Sequence, residues 1–294
     1  MNLPKDTNLP FFAYGVFKPG QLGFFQIKDF TDKYSPYDIT GVLYERDGVP
    51  LFNPEKAYSK VKGYLITFKE NQQDEAYKRI ADTEPDYQYT WDTVEISGTG
   101  KANILAGKKI KKGSILCEYN YYDGNKDPLF NEALEIIESM LIKKPQSSEM
   151  KHDFSNPISE IFYLQMAYML LWSSIERYGS LKYGMRLGPV DKNKKMSSEP
   201  AFRDGLRNTV KGERTVFSAI EPRKKIVLNP EKPEKSMDYY YQIRSNTVHR
   251  GKSVFHDKEL IEASLKELLT IFRGMLSESF KSASVRINDV DNYQ

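Results

Sequence analysis

Short apolar runs separated by turn residues dominate the first part of the chain, up to about residue 122. Runs such as FFAYGVF, KVKGYLITF and ANILAG are rich in Val, Ile, Tyr and Phe, and Gly, Pro and Asn lie between them. This pattern is typical of β-strands. The segment QQDEAYKRIADTE instead places Ala76, Tyr77 and Ile80 on one face of a helix. We therefore predict a small β-barrel-like domain with a packed helix.

From Pro128 onward the apolar positions repeat with the spacing of amphipathic helices. The strongest segments are PLFNEALEIIESMLIKK, ISEIFYLQMAYMLLWSSIERYG, which is expected to end at Gly179, and DKELIEASLKELLTIFRGML, with Asp257 as its N-cap. The predicted fold class is therefore multidomain α+β, with an all-α helical bundle in the C-terminal part. The predicted divisions are a β-rich domain at 1–125, a connecting helix and linker at 126–155, a helical domain at 156–280 and a polar tail at 281–294.

The helical domain contains a segment of different composition, residues 182–235. It holds 14 basic and 7 acidic residues and few aliphatic ones. Two interpretations are open: a solvated insertion, or a basic surface that binds phosphate backbones. The composition favours the solvated insertion, because that is the usual outcome for such a segment.

The chain has 294 residues and a net charge of +3, which does not by itself predict a nucleic-acid partner. Its single cysteine, Cys117, cannot form an internal disulfide and is expected to be a buried thiol, which fits a reducing compartment. No secretory signal is visible, and the longest uncharged run is too short and polar to span a bilayer. We expect a cytoplasmic protein without membrane contact. His152 and His256 lack metal-ligand spacing, so we expect no metal and no cofactor.

A glycine-containing loop follows the first strand-like run, in the segment AYGVFKPGQ. Gly15 lets the backbone approach closely, so successive N–H groups could bind a small anionic or carbonyl ligand. A simple turn at a strand end is the alternative.

Residues 10–125 carry motifs in an order that resembles the gamma-glutamylcyclotransferase-like superfamily. That family has a Tyr-Gly-Ser/Thr-Leu-x-x-Gly loop, a Gly-x-Leu-Tyr strand, a Leu-Asp-x-x-Glu helix end and a later tyrosine. Here the loop is Tyr14–Gly20, the helix end is Ala81–Glu84, and Tyr87 and Tyr89 follow. The loop departs from the family pattern, because Val16 replaces the hydroxyl residue and Phe17 replaces the leucine.

This resemblance implies a ligand pocket and a proton-transferring carboxylate. Glu84 would be catalytic, helping the α-amine of a γ-glutamyl group attack its own side-chain carbonyl with release of 5-oxoproline. The alternative is an ordinary charge at a helix end. The residues implied as ligand-binding are Tyr14, Gly15, Val16, Phe17 and Tyr89.

A second group of candidate residues lies in the segment DYYYQIRSNTVHRG, which predicts a helix ending near Gly251. Asn246 and His249 are three residues apart and share a face, whereas Arg244 and His249 diverge by about 140° around the axis. An arginine and a histidine supply a phosphate-binding cation and a group that titrates near neutrality. These are parts needed to break a phosphodiester without a metal. A plain basic cap at a helix end is the alternative.

This helix and its neighbours, over roughly residues 156–278, resemble the HEPN superfamily, in particular its Apea-like branch. The Arg-x4-His signature is Arg244–His249, and LLWSSIERYG is similar to the branch's first long helix, with Glu176. The resemblance implies a homodimer that cleaves RNA without a metal. His249 would assist proton transfer, Arg244 would hold the phosphate and Asn246 would bind substrate. The residues implied as further RNA contacts are Arg250 and Lys252.

These observations favour a metal-independent endoribonuclease, active as a homodimer, whose N-terminal domain senses a small ligand or regulates the nuclease. Such a protein would suit stress response, a toxin–antitoxin module or antiviral defence. Two other functions are open. The chain could be a cyclotransferase acting on a small molecule, with the helical domain serving for dimerisation. It could also be a non-catalytic interaction protein.

Overall fold

A computed structural model describes residues 1–54, 59–98, 100–108, 110, 113–142, 157–218, 220–221, 223–250 and 258–284. The chain forms two compact units. Unit 1 comprises residues 1–128, 180–187 and 279–294, and unit 2 comprises residues 129–179 and 188–278. The predicted α+β fold class is confirmed. The predicted Asp257 cap, the Gly251 helix stop and Lys252 lie outside the described residues.

Ten strands and seven helices are assigned in the described part of the chain. The strands are β1 (Phe11–Ala13), β2 (Thr31–Thr40), β3 (Val42–Arg46), β4 (Val49–Asn53), β5 (Lys60–Phe68), β6 (Tyr89–Ile96), β7 (Gly100–Gly107), β8 (Ile115–Leu116), β9 (Arg214–Phe217) and β10 (Lys225–Leu228). The helices are α1 (Gln73–Thr83), α2 (Glu132–Ile142), α3 (Pro157–Tyr183), α4 (Pro189–Ser197), α5 (Pro200–Thr209), α6 (Pro233–Arg250) and α7 (Lys258–Ser284). None of these described helices has the length and apolar character needed to cross a membrane.

Unit 1 is built on a five-stranded sheet of order β2-β5-β1-β7-β6 and a three-stranded sheet of order β4-β3-β8. All pairs are antiparallel except β1 with β7, which is parallel. In the described residues the strands thus form two sheets, which refines the barrel-like prediction. The predicted buried thiol of Cys117 is confirmed.

Helix α1 belongs to the core of unit 1, as its apolar spacing predicts. Tyr77 and Ile80 are fully buried. The Tyr77 ring packs edge-on against Phe68 and Trp91, and its hydroxyl donates to the Leu9 carbonyl at 2.7 Å. Burial raises the pKa of Tyr77, so this phenol remains a hydrogen-bond donor.

Unit 2 is formed mainly by α2, α3, α6 and α7, with large aromatic side chains between them. Phe272 of α7 packs edge-on against Tyr178 of α3 and against Phe130. Helix α3 continues to Tyr183, one turn beyond the predicted end at Gly179. The next residue, Gly184, has a φ of +112°, a left-handed conformation that suits glycine and ends the helix.

The basic segment at 182–235 folds into α4, α5 and the β9–β10 hairpin, rather than forming a simple solvated insertion. A few spaced apolar residues anchor it. Phe202 and Leu206, one helical turn apart on α5, are fully buried, and Leu228 of β10 is buried as well. Unit 2 therefore carries a two-stranded hairpin that the all-α prediction did not include.

Gly63 of β5 provides a test of the strand packing in unit 1. A methyl group there would lie 2.6 Å from the Ala13 carbonyl oxygen and 2.5 Å from the Phe12 ring. Gly63→Ala should therefore lower the free energy of unfolding by about 1–3 kcal/mol, measured by urea denaturation. Gly274→Ala, on an exposed position of α7 with nothing within 4 Å, should raise it by up to about 1 kcal/mol. An unchanged Gly63→Ala protein would contradict the close approach of β1 and β5.

Candidate functional site

One pocket in unit 1 is lined by all the residues that the resemblance to the gamma-glutamylcyclotransferase-like superfamily implies as catalytic or ligand-binding. Its cavity volume is about 20 Å³, and the empty space around it, open solvent included, is about 260 Å³. Phe11, Ala13, Pro50 and Leu105 complete the largely apolar lining. The predicted residues in the lining are Tyr14, Gly15, Val16, Phe17, Glu84 and Tyr89. The structure thus brings together side chains that are up to 75 positions apart in the sequence, from Tyr14 to Tyr89.

The loop after β1 is held by successive tight turns. The Lys18 amide donates to the Gly15 carbonyl at 3.1 Å, and the Gln21 amide donates to the Lys18 carbonyl at 3.0 Å. Gly15 lies against Pro50, because a Cβ at Gly15 would sit 3.1 Å from Pro50 Cγ. The loop is therefore packed on β4, and a larger residue at Gly15 would have to displace that contact.

Two buried phenols brace the pocket. Tyr14 donates to the Leu105 carbonyl at 2.5 Å, and Tyr89 donates to the Pro50 carbonyl at 2.6 Å. Burial, reinforced by the nearby Glu84 carboxylate, raises the pKa of Tyr14. Tyr14 therefore keeps its proton, and the hydrogen bonds of both phenols fix two polar groups in the pocket lining.

Glu84 reaches the pocket because helix α1 ends just before it, at Thr83, and the backbone becomes extended. Its φ of −93° and ψ of 130° are extended, while its amide still donates to the Ile80 carbonyl at 3.1 Å. The side chain is half-buried, whereas Asp82, two residues earlier, pairs with Arg186 at 2.5 Å. Glu84 therefore places a carboxylate in an apolar pocket, where it can accept or donate a proton.

Lys18 is a feature that the sequence did not indicate. It is fully buried, donates to the Tyr122 carbonyl at 2.5 Å, and its ammonium lies 3.5 Å from the centre of the Tyr121 ring. Burial lowers the pKa of Lys18 to about 7, and the carboxylate of Asp123 partly opposes this effect. A lysine before Pro-Gly has the appearance of an exposed turn residue, so no sequence signal identified it.

The second candidate site lies in unit 2, where α6 meets α3. The Arg244 guanidinium is 3.4 Å from the Glu176 carboxylate and 5.8 Å from the centre of the Tyr241 ring. Its Nε is buried and has no hydrogen-bond acceptor among the described residues. Arg244 therefore combines a fixed orientation with a spare donor, which is a suitable arrangement for an anionic ligand.

Lys192 of α4 is a further cation near this carboxylate, and sequence reasoning missed it. Burial lowers the pKa of Lys192, and the negative charge of Glu176 partly offsets that effect. Lys192 also lies beside Gly179, since a Cβ there would be 3.5 Å from the Lys192 Cβ. One carboxylate is thus influenced by two cations, one from α6 and one from α4.

Asn246 lies on a different side of α6 from Arg244. Its Oδ1 accepts from Gln242 at 2.8 Å, and its Nδ2 donates to the Phe217 carbonyl of β9 at 2.8 Å. The helix backbone continues through His249 and Arg250, whose side chains lie outside the described part of the structure. Asn246 therefore links α6 to the hairpin, a contact that the sequence did not predict.

Comparison with known proteins gives little further information. No family model matches the chain, and no curated protein is similar to it. A solved structure, the uncharacterized protein PH0828 from Pyrococcus horikoshii, is 19% identical with a TM-score of 0.33. That match covers 39% of this chain and 90% of the other. At this level the likeness carries no inference about function.

Lys18 gives a pH-dependent prediction for unit 1. The unfolded chain keeps the Lys18 proton up to a pH near 10.5, whereas the folded chain releases it above about 7. Between these values the unfolded state binds more protons, so this group makes stability rise with pH by roughly 1.4 kcal/mol per unit. Urea denaturation from pH 6 to 9 should show this rise in the wild type relative to Lys18→Met. The exposed control Lys33→Met should follow the wild type; parallel curves for Lys18→Met would contradict the burial of a titrating amine.

Proposed function

We propose that this protein is a metal-independent endoribonuclease of HEPN type, that it acts as a homodimer, and that unit 1 binds a small ligand. The observation that supports the nuclease best is the orientation of the Arg244 guanidinium and its buried Nε. The guanidinium is oriented by Glu176 and Tyr241, and its buried Nε has no acceptor in the described residues. A phosphate oxygen is an acceptor that would fill this need.

In the proposed reaction the ribose 2′-oxygen attacks the adjacent phosphorus and the 5′-oxygen leaves. His249 would take the proton from the 2′-hydroxyl or deliver one to the leaving oxygen. Arg244 would stabilise the negative charge that develops on the phosphate. The products are a 2′,3′-cyclic phosphate and a free 5′-hydroxyl, so the protons balance without water or metal.

The geometry of one helix supports the proposal of a dimer. Positions five residues apart on α6 are about 140° apart around the axis, so Arg244 and His249 of one copy would flank a substrate rather than point at one phosphate. A second α6 facing the first would complete the set. The proposed site therefore combines Arg244 of one copy with His249 of the other.

Asn246 has a different role in this proposal from the substrate contact that the sequence favoured. Both ends of its amide are already hydrogen-bonded within the chain. A substrate would have to displace these bonds. We therefore assign Asn246 to positioning the hairpin against α6.

The nuclease is tested with purified full-length protein, total RNA and a metal chelator. Wild type should cleave, whereas His249→Ala and Arg244→Ala should each lower the cleavage rate by about 100-fold or more. Arg203→Ala, at an exposed position on α5, is the matched control and should keep full activity. Sedimentation should show the same dimer for all four proteins. The proposal fails if the wild type leaves every RNA species intact.

A second function is supported by the pocket of unit 1, which holds Glu84 together with all five implied ligand residues. We propose a gamma-glutamyl-type cyclotransferase activity as the alternative. Glu84 would transfer the proton from the attacking α-amine, while the apolar lining would keep water away from the reacting carbonyl.

Release of 5-oxoproline from γ-glutamyl substrates tests this alternative. Glu84→Gln should abolish the release because the amide cannot accept the proton, while His249→Ala should leave it unchanged. Glu70→Gln, an exposed acid of the same unit, is the control for the loss of one charge. If wild type releases no 5-oxoproline, the cyclotransferase is excluded. If it also cleaves no RNA, the non-catalytic interaction protein becomes the better account.

A further inference from the structure

The β9–β10 hairpin presents an unusual outer face. Phe217 and Lys225 are directly opposite each other in the antiparallel pairing, so their side chains share one face of the ribbon. Phe217 is 52% exposed and Lys225 is exposed as well. An aromatic ring on a solvated ribbon face does nothing for the core, so its position calls for another explanation.

The inner face of the same hairpin is firmly anchored. Val216 and Leu228 are buried. The Arg214 guanidinium forms two hydrogen bonds with the Glu267 carboxylate of α7, one of them at 2.9 Å. Tyr240 of α6 donates to the same carboxylate at 3.1 Å. The ribbon is thus held by both helices, and the exposed ring of Phe217 is presented from a rigid support.

The hairpin is also hydrogen-bonded to helix α6. Asn246 donates to the Phe217 carbonyl at 2.8 Å, so the residue that carries the exposed ring is itself bonded to α6. Asn246 and His249 are three residues apart and share a side of a helix. The ribbon is therefore joined to α6 at the residue three positions before His249.

The charge next to Phe217 is positive. Arg223 and Lys225 are exposed, and neither forms an ion pair with any described residue. Lys224 differs from them, because the Glu221 carboxylate lies 3.8 Å away and partly screens its charge. Lys225 lies directly opposite the exposed ring and Arg223 lies two residues earlier, at the turn. A ring with cations near it matches the flat bases and phosphates of a nucleic-acid strand.

We propose that this outer face, centred on Phe217 and Lys225 with Arg223 at the turn, binds single-stranded RNA. One unpaired base stacks on the Phe217 ring, and the flanking phosphates contact Lys225 and Arg223. The inference rests on the proposed nuclease and deepens it by identifying an unpaired strand as the substrate form. Asn246 acts as a positioning residue, since it holds the Phe217 backbone.

Binding is measured by fluorescence anisotropy with a labelled 12-nucleotide uridine-rich RNA, using full-length His249→Ala protein so that the RNA stays intact. Phe217→Ala and Phe217→Leu in this background should each weaken binding by roughly 5- to 150-fold, and Phe217→Tyr should bind like the parent. Leucine is the informative variant: a protein-binding apolar patch would accept it, whereas base stacking requires a ring.

The charge contribution is measured as the slope of log affinity against log salt concentration. Arg223→Gln with Lys225→Gln should reduce that slope by about 1.4, since each phosphate contact of a single strand contributes about 0.7. Lys33→Gln with Lys60→Gln, two exposed lysines of unit 1, is the matched control and should leave the slope unchanged.

The outcomes separate this inference from the nuclease itself. If wild type cuts RNA but Phe217→Ala and Phe217→Leu bind RNA as the parent does, the hairpin inference is overturned and the nuclease stands. If wild type cuts nothing but Phe217→Leu loses RNA binding and Phe217→Tyr keeps it, the hairpin surface stands and the nuclease falls. No RNA binding by the parent overturns the inference, as does equal loss in the Leu and Tyr variants.

Discussion

The angular spacing of side chains around one helix, α6, is the constraint on which the proposed sites of unit 2 depend. At about 100° per residue, α6 directs its side chains to separate surroundings. Tyr240 and Ile243 are buried in the core, Arg244 turns towards Glu176 of α3, and Asn246 turns towards the β9–β10 hairpin. One helix therefore connects the core, the cation that we propose to bind phosphate and the proposed RNA surface. The same period keeps Arg244 and His249 apart, which is why the proposed site requires a second chain.

Unit 1 follows a different physical logic, in which polar groups are fixed within an apolar interior. Tyr14 and Tyr89 donate their hydroxyl protons to carbonyls of neighbouring strands, and Lys18 of the pocket loop is fully buried. These bonds reduce the freedom of the loop before any ligand binds. Glu84 is the half-buried acid in this setting, which supports our proposal that unit 1 binds a small ligand.

The sequence predicted the elements that have clear periodicity. Helix α1 follows from the spacing of Ala76, Tyr77 and Ile80, and α6 was expected from its lack of proline between Asp238 and Gly251. The predicted end of α3 at Gly179 was wrong. Gly179 is a residue within α3, and Gly184 takes the left-handed conformation that follows the helix. The presence of a glycine in the sequence does not by itself show whether it lies within a helix or ends it.

The parts that could not be predicted depend on contacts between distant residues. The hairpin was hidden in a segment rich in Lys and Arg, because β9 and β10 are only four residues each and their buried positions are few. The resemblance motifs identified six residues of the unit 1 pocket, but not Phe11, Ala13, Pro50 or Leu105, which complete its lining. The burial of Lys18 depends on Tyr121 and Tyr122, about a hundred positions away.

A mixing experiment tests most directly the claim that the active site is shared between two copies. Arg244→Ala and His249→Ala proteins, each inactive alone, are combined under conditions that allow dimers to exchange subunits. A mixed dimer then contains one site with an intact arginine from one copy and an intact histidine from the other. The account predicts that RNA cleavage returns on mixing. A mixture that exchanges subunits but stays inactive, beside an active wild type, would contradict it.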